Sequence, residues 1–238
     1  MKYKGSKLRH RKQILEAITT KLTHLDLSTY NYWEPFVGGG NMIGYVNSQR
    51  LFKQCYGTDI DPDVIAYLAA AEAGWVPPEE ISREMYETAR ANPEALYRPL
   101  AGYLAFSVSF GGMKWGSYAI NKRGDDYVGQ AWRRHQRDAQ EWAGVKFENA
   151  SFLDVAPEAN TVIYCDPPYD GTSSYGAYWD QGAYVEWVKG LSQPVFMSAY
   201  VNPLPGLATE IWSKPVRVSL SANDNTKKTV ERLFYVEP

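Results

Sequence analysis

A chain of 238 residues, 45% hydrophobic and 22% charged, has an ordinary globular composition and the length for one α/β domain with an insertion or for two small domains. A formal net charge of −2 speaks weakly against nucleic acid as a partner, and no apolar run is long enough to span a membrane. Two cysteines, Cys55 and Cys165, sit in strand-like stretches and read as reduced core thiols, while three histidines without a Cys/His cluster give no expectation of a metal. No signal peptide is visible, so the expected location is the cytoplasm.

The charge is segregated. Residues 2–12 carry Lys2, Lys4, Lys7, Arg9, Arg11 and Lys12 with no acid, and residues 114–137 are also rich in lysine and arginine. Residues 58–94 hold nine carboxylates against Arg83 and Arg90. Such a distribution makes a basic face on a nearly neutral protein.

In chain order, the polar turn 2–7 leads to a helix with apolar residues Leu8, Ile14, Leu15, Ile18 and Leu22, with Ser6 as its expected cap. Residues 30–36 read as a strand running into Gly38, Gly39 and Gly40, with a helix beginning near Asn41. Three glycines there permit positive φ and a close backbone approach by a ligand. A second strand, residues 54–58, ends at Asp59, an acid placed to hydrogen-bond a ribose hydroxyl pair. Asp61 and Pro62 predict the cap and first turn of a helix through Ala73. The order strand, glycines, helix, strand, acid points to an adenosine-containing cofactor.

Residues 79–91, 93–103 and 131–142 read as helices, and between them lies the glycine-rich, aromatic and basic stretch 106–129, whose loop 110–118 reads as a nucleic-acid contact surface more than as a core element. Strands are expected at 145–149, 195–198, 216–220 and 229–236, and a helix near 181–191. Residues 161–165 predict a short buried strand that stops at Asp166, because Pro167 and Pro168 cannot donate to a ladder. A carboxylate, two carbonyls and the ring of Tyr169 are thus presented at the carboxyl end of a strand, where open α/β sheets bind ligands. Asp166 and the Pro167 carbonyl would accept from the N–H groups of an exocyclic amine and make its nitrogen more nucleophilic. Tyr169 would stack on a base that has left its helix. The bland alternative for this tetrapeptide is a rigid strand exit.

With these pieces placed, the sequence resembles the Dam-type DNA adenine-N6 methyltransferases of the alpha motif order. The resemblance rests on residues 2–7, on Glu34, Pro35, Phe36, Gly38, Gly39 and Gly40, and on Asp59 with Ile60. It continues through residues 151–154, Asp166 to Tyr169, and the tail from Ser219 through Asn223 and Glu231 to Leu233. It implies a Rossmann-like, seven-stranded, mostly parallel α/β sheet formed by residues 1–75 and 143–238, with a helical DNA target-recognition lobe inserted at 76–142.

The resemblance further implies S-adenosyl-L-methionine as methyl donor and double-stranded DNA as partner, with no membrane and no metal. Its catalytic residues are Asp166, Pro167, Pro168 and Tyr169. Its cofactor residues are Tyr3, Lys7, Glu34, Pro35, Phe36, the three glycines, Asp59, Ile60, Ser151, Phe152 and Asp166. Lys114, Lys122, Arg123 and Tyr169 are expected on DNA. RNA adenine or DNA cytosine-N4 methylation, or a non-catalytic binding module, stay open beside that reading. Departures from the family pattern are Ala199, where relatives often carry Asn, and a lobe whose sequence implies no particular target site.

Overall fold

In the computed structural model, which describes residues 1–120, 125–168, 179–219 and 226–238, the chain begins with α1 (Arg11–Lys21), β1 (Asn31–Glu34), α2 (Asn41–Ser48), β2 (Gln54–Asp59) and α3 (Pro62–Glu72). Three helices follow, α4 (Arg83–Ala91), α5 (Arg98–Ser107) and α6 (Tyr127–Trp142). The second part supplies β3 (Lys146–Asn149), β4 (Thr161–Cys165), α7 (Gln181–Lys189), β5 (Val195–Ala199), β6 (Ala208–Ser219) and β7 (Thr226–Val236).

The strands form one seven-stranded sheet in the order β3-β2-β1-β4-β5-β7-β6. From β3 through β5 neighbouring strands are parallel, and β7 runs antiparallel to both β5 and β6. This is the mostly parallel α/β sheet that the resemblance implied.

Position in the sheet follows from apolarity. Every residue of β1 and β4 is buried, as a strand covered on both faces requires, and these two pair at the centre. Lys146, Glu148 and Asn149 of β3 are exposed, and β3 lies at an edge. Alternation within β4 divides the core. Val162 and Tyr164 join the larger cluster with residues of α1 to α6, whereas Ile163 and Cys165 join a second one with Tyr184 and Val188 of α7. Helices α4 to α6 share the larger cluster with the sheet: Tyr86, Tyr103, Phe106 and Trp142 are buried together with Ile43, Val64 and Leu68. Both cysteines are buried thiols in strands, as expected.

Several boundaries differ from the sequence reading. The first helix is preceded by a 3-10 turn, Lys7–Arg9, and Ser6 caps that turn by accepting from the Leu8 N–H. Residues 93–103 divide into a 3-10 turn, Pro93–Ala95, and α5, because Pro99 is accepted only in the first turn of a helix. α4 starts at Arg83 behind the cap Ser82, and α6 starts at Tyr127 behind the cap Asp126. β6 begins eight residues before its expected start and carries Pro215, which the outermost strand tolerates because one row of its backbone groups needs no partner.

Candidate active site

The carboxyl ends of β1, β2 and β4 meet at the centre of the sheet. Consecutive connections there leave toward opposite sides, since β1 lies between β2 and β4. That switch in strand order opens a crevice.

The first wall of the crevice is the loop after β1. Gly38 and Gly40 adopt left-handed φ of 46° and 64°, and Gly40 starts α2 from that conformation. The space their missing side chains vacate is filled by the protein. A Cβ on Gly38 would stand 2.9 Å from Tyr3 Cε1, and one on Gly40 would stand 2.8 Å from Trp142 Nε1. Trp142 Nε1 also donates to the Gly40 carbonyl at 2.8 Å. A Cβ on Gly39 would stand 2.7 Å from Tyr3 Cβ. The glycines therefore admit the Tyr3 ring and the end of α6, a closer approach than any other residue allows. Below the loop, Glu34 and Pro35 are buried. Tyr32 Oη donates to Glu34 Oε1 at 2.9 Å, and burial pushes the Glu34 carboxyl well above the usual range, with the Asp166 charge adding to the rise.

The second wall is the end of β2. Asp59 is 9% exposed. Its Oδ2 accepts from the Gly38 N–H at 2.9 Å and its Oδ1 from the Asp61 N–H at 3.0 Å. Burial raises the Asp59 pKa to about 6 against the pull of those two backbone donors. The Asp59 carbonyl accepts from Asn149 Nδ2 and from the Ala150 N–H, which brings the segment after β3 alongside. Ile60 is thereby 55% exposed next to the polar pair, and Ser151 and Phe152 follow on the adjoining strand end. Phe152 packs 5.2 Å from Phe36, and both rings adjoin Trp179 and Tyr184.

The third wall is the end of β4. Lys7 Nζ donates to Asp166 Oδ1 at 2.7 Å and lies 3.7 Å from Glu231 Oε1 of β7. Burial alone would lower the Lys7 pKa, but the two carboxylates hold it above the usual lysine value. Beside them Tyr164 Oη and Ser198 Oγ are 2.7 Å apart, tying β4 to β5. Pro167 and Pro168 leave the strand half-buried, as their missing donors predict.

The described residues expected on the cofactor thus lie in the N-terminal turn and at or just beyond the carboxyl ends of β1, β2, β3 and β4. Tyr169, Lys122, Arg123 and Asn223 lie outside the described residues. Lys114 is described, and its ammonium is engaged: it donates to both Asp61 oxygens at 2.8 Å and stands 2.9 Å from Asp63 Oδ2. The stretch around it is also tied down, with Trp115 N–H on the Ala105 carbonyl, Ala119 N–H on Val108, and Tyr118 Oη on Ile81. Phe110 and Met113 remain exposed beside these anchors.

Sequence reading did not find Tyr32 or the acid pair under Lys114. Tyr32 had a signal, since residues two apart on a strand share a face. The Lys114 contacts bridge 53 residues and leave no local mark.

No family model matches the chain. Two curated proteins called DNA adenine methylase, from the Classical Ogawa 395 and El Tor Inaba N16961 strains of Vibrio cholerae serotype O1, are each 27% identical over 177 residues. The match covers 63% of this chain and 61% of each relative, so the chain spans about three fifths of the length of the curated relatives it matches. They agree with the Dam-type resemblance. A precorrin-6y C5,15-methyltransferase from Geobacter metallireducens is 8% identical, with 95% of this chain and 87% of that one covered and a TM-score of 0.40. A dimethyladenosine transferase from Plasmodium falciparum is 11% identical, with 94% and 61% covered and a TM-score of 0.39. Among the described residues, no helix is long and apolar enough to cross a membrane and no group of His, Cys, Asp and Glu is placed to hold a metal ion.

Proposed function

We propose that the chain is an S-adenosylmethionine-dependent methyltransferase acting on the exocyclic amine of adenine in duplex DNA. The observation that carries this is the convergence of Asp59, the glycine loop and Asp166 on the crevice where the strand order switches. The match to relatives called DNA adenine methylase supports adenine and DNA over the alternatives.

The residues present suit the cofactor. A buried Asp59 carboxylate followed in sequence by the exposed apolar Ile60 suits a ribose hydroxyl pair and an adenine ring. S-adenosylmethionine, when bound, supplies a methyl carbon on a sulfonium, so that attack by an amine breaks the C–S bond and releases a neutral thioether. Asp166 and the Pro167 carbonyl accept from the target amine and localise its lone pair on nitrogen. Lys7 fixes the Asp166 carboxylate by a short charge-assisted hydrogen bond. Tyr169 stacks on the flipped base, and basic residues of 76–142, including Lys122 and Arg123, contact DNA.

Incubation with tritiated S-adenosylmethionine and duplex DNA, single strands or RNA tests the reading. Label in duplex DNA, recovered as N6-methyldeoxyadenosine after digestion, is the expected result. Label recovered only from RNA, or as N4-methylcytosine, would redirect it, and no label on any substrate would end it.

A further inference from the structure

The stretch 110–118, read from sequence as a nucleic-acid surface, touches both the N-terminal segment over the loop after β1 and the helix start after β2. On one side, Gly112 has φ of 69° and lies so close to the N-terminal segment that a Cβ there would stand 2.8 Å from the Tyr3 backbone nitrogen. Its carbonyl accepts from the Lys4 N–H at 3.3 Å. Tyr3 is the residue whose ring fills the space over Gly38. On the other side, Lys114 spans Asp61 and Asp63 at the start of α3. Asp61 is the cap of that helix, and its backbone N–H is one of the two donors that hold Asp59. The two sides are joined, because Lys114 Nζ lies 6.0 Å from the Phe106 ring centroid and Phe106 packs 5.2 Å from Tyr3.

We infer that Lys114 is a positioning residue of the cofactor site: its clasp on Asp61 and Asp63 fixes the start of α3 and so the aim of the Asp59 carboxylate. This reassigns Lys114 from DNA contact, and it rests on the methyltransferase reading for the identity of the ligand. A phosphate would have to compete with two carboxylates already at hydrogen-bond distance, whereas the clasp serves Asp59 as it stands. The same cation helps keep Asp59 ionised. The charged groups around Asp59 are the Asp61 carboxylate and Lys114, with Arg98 of α5 reaching Asp63 at 3.9 Å, and the Gly38 and Asp61 N–H groups complete its surroundings.

Calorimetry with S-adenosylhomocysteine and binding of a labelled duplex at two salt concentrations test this on the full chain. Lys114→Ala should weaken S-adenosylhomocysteine roughly 5–10-fold, the range of one lost hydrogen bond. The midpoint of its pH dependence should move upward, and Lys114→Arg should restore most of the affinity. Asp63→Asn loosens the clasp from its other side without touching the cap, and should weaken the ligand in the same direction by less. The slope of log DNA affinity against log salt should stay that of the parent, since no phosphate contact is lost. Parent-like ligand affinity in both variants, or a DNA salt slope reduced by about one in Lys114→Ala, would overturn the inference. A parent chain that binds no S-adenosylhomocysteine would overturn the methyltransferase reading itself, and this one with it.

Discussion

Asp59 and Asp166 end strands that flank β1 on opposite sides, and they are held by different means. Asp59 is gripped by two backbone N–H groups, one of them only two residues away. Asp166 is gripped by a side-chain cation from a residue 159 positions distant, which also faces Glu231. The first carboxylate is shaped by local turns, and with neutral dipoles on its oxygens and a cation only nearby, burial still raises its pKa. The second depends on the whole sheet being assembled, and a full opposite charge sits on it. A rigid ligand anchor suits the first arrangement, while a group that must meet a transient substrate is better served by the second.

The sharpest break would come from Lys7→Met. Removing the cation takes from the part-buried Asp166 its partner at 2.7 Å and from the buried Glu231 a neighbour at 3.7 Å, and breaking a buried pair from one side costs up to about 3–5 kcal/mol. Urea denaturation near neutral pH should show that loss. A variant as stable as the parent at every pH would mean that Asp166 needs no distant partner.

Asp166→Ala should be next in effect. On the proposed function it removes the acceptor on the target amine, with an expected fall in methyl transfer of about 10²–10³-fold, the usual loss for one preorganised group. Binding of S-adenosylhomocysteine through Asp59 should persist, so that calorimetry and rate measurements part company. Rates within threefold of the parent would remove Asp166 from the chemistry.

The smallest effect belongs to Asp59 and has two signs. Its folded pKa is about 6, above the ordinary aspartate value of 3.8, so its protonated form is favoured by folding. The stability it contributes is present below about pH 4 and lost as pH rises through about 6, a change of about 2–3 kcal/mol. Ligand affinity should run the other way, because a ribose hydroxyl pair needs the ionised acceptor. Subtracting the Asp59→Asn profile from that of the parent, in urea melts and in calorimetry from about pH 4 to pH 8, isolates both trends. Parallel trends in the two measurements would show that Asp59 does not meet the ligand.

The same contrast explains what the sequence makes legible. Gly38 to Asp59 could be read because strand, glycines, cap and acid each act on near neighbours. The end of β4 could be read because two prolines stop a strand wherever they occur. A contact between distant residues escaped: the Lys114 clasp joins positions 53 apart and is fixed by packing. Lys7 and Glu231 were reached only through resemblance, since a lysine in a polar turn and a glutamate in a strand carry no mark of partnership. β6 was expected only at 216–220, and its first eight residues are marked as strand by pairing with β7 rather than by local pattern.

Pro215 bears on how copies of the chain behave toward one another. An outermost strand of twelve residues is a template on which another extended chain can add by backbone pairing. Pro215 offers no N–H to such a visitor, and the irregularity between Glu210 and Trp212 displaces the ladder a few residues earlier. The opposite edge is short, with the exposed charges Lys146 and Glu148. Both ends of the sheet are thus poor surfaces for intermolecular strand addition, which keeps a concentrated solution of this fold from growing at its edges.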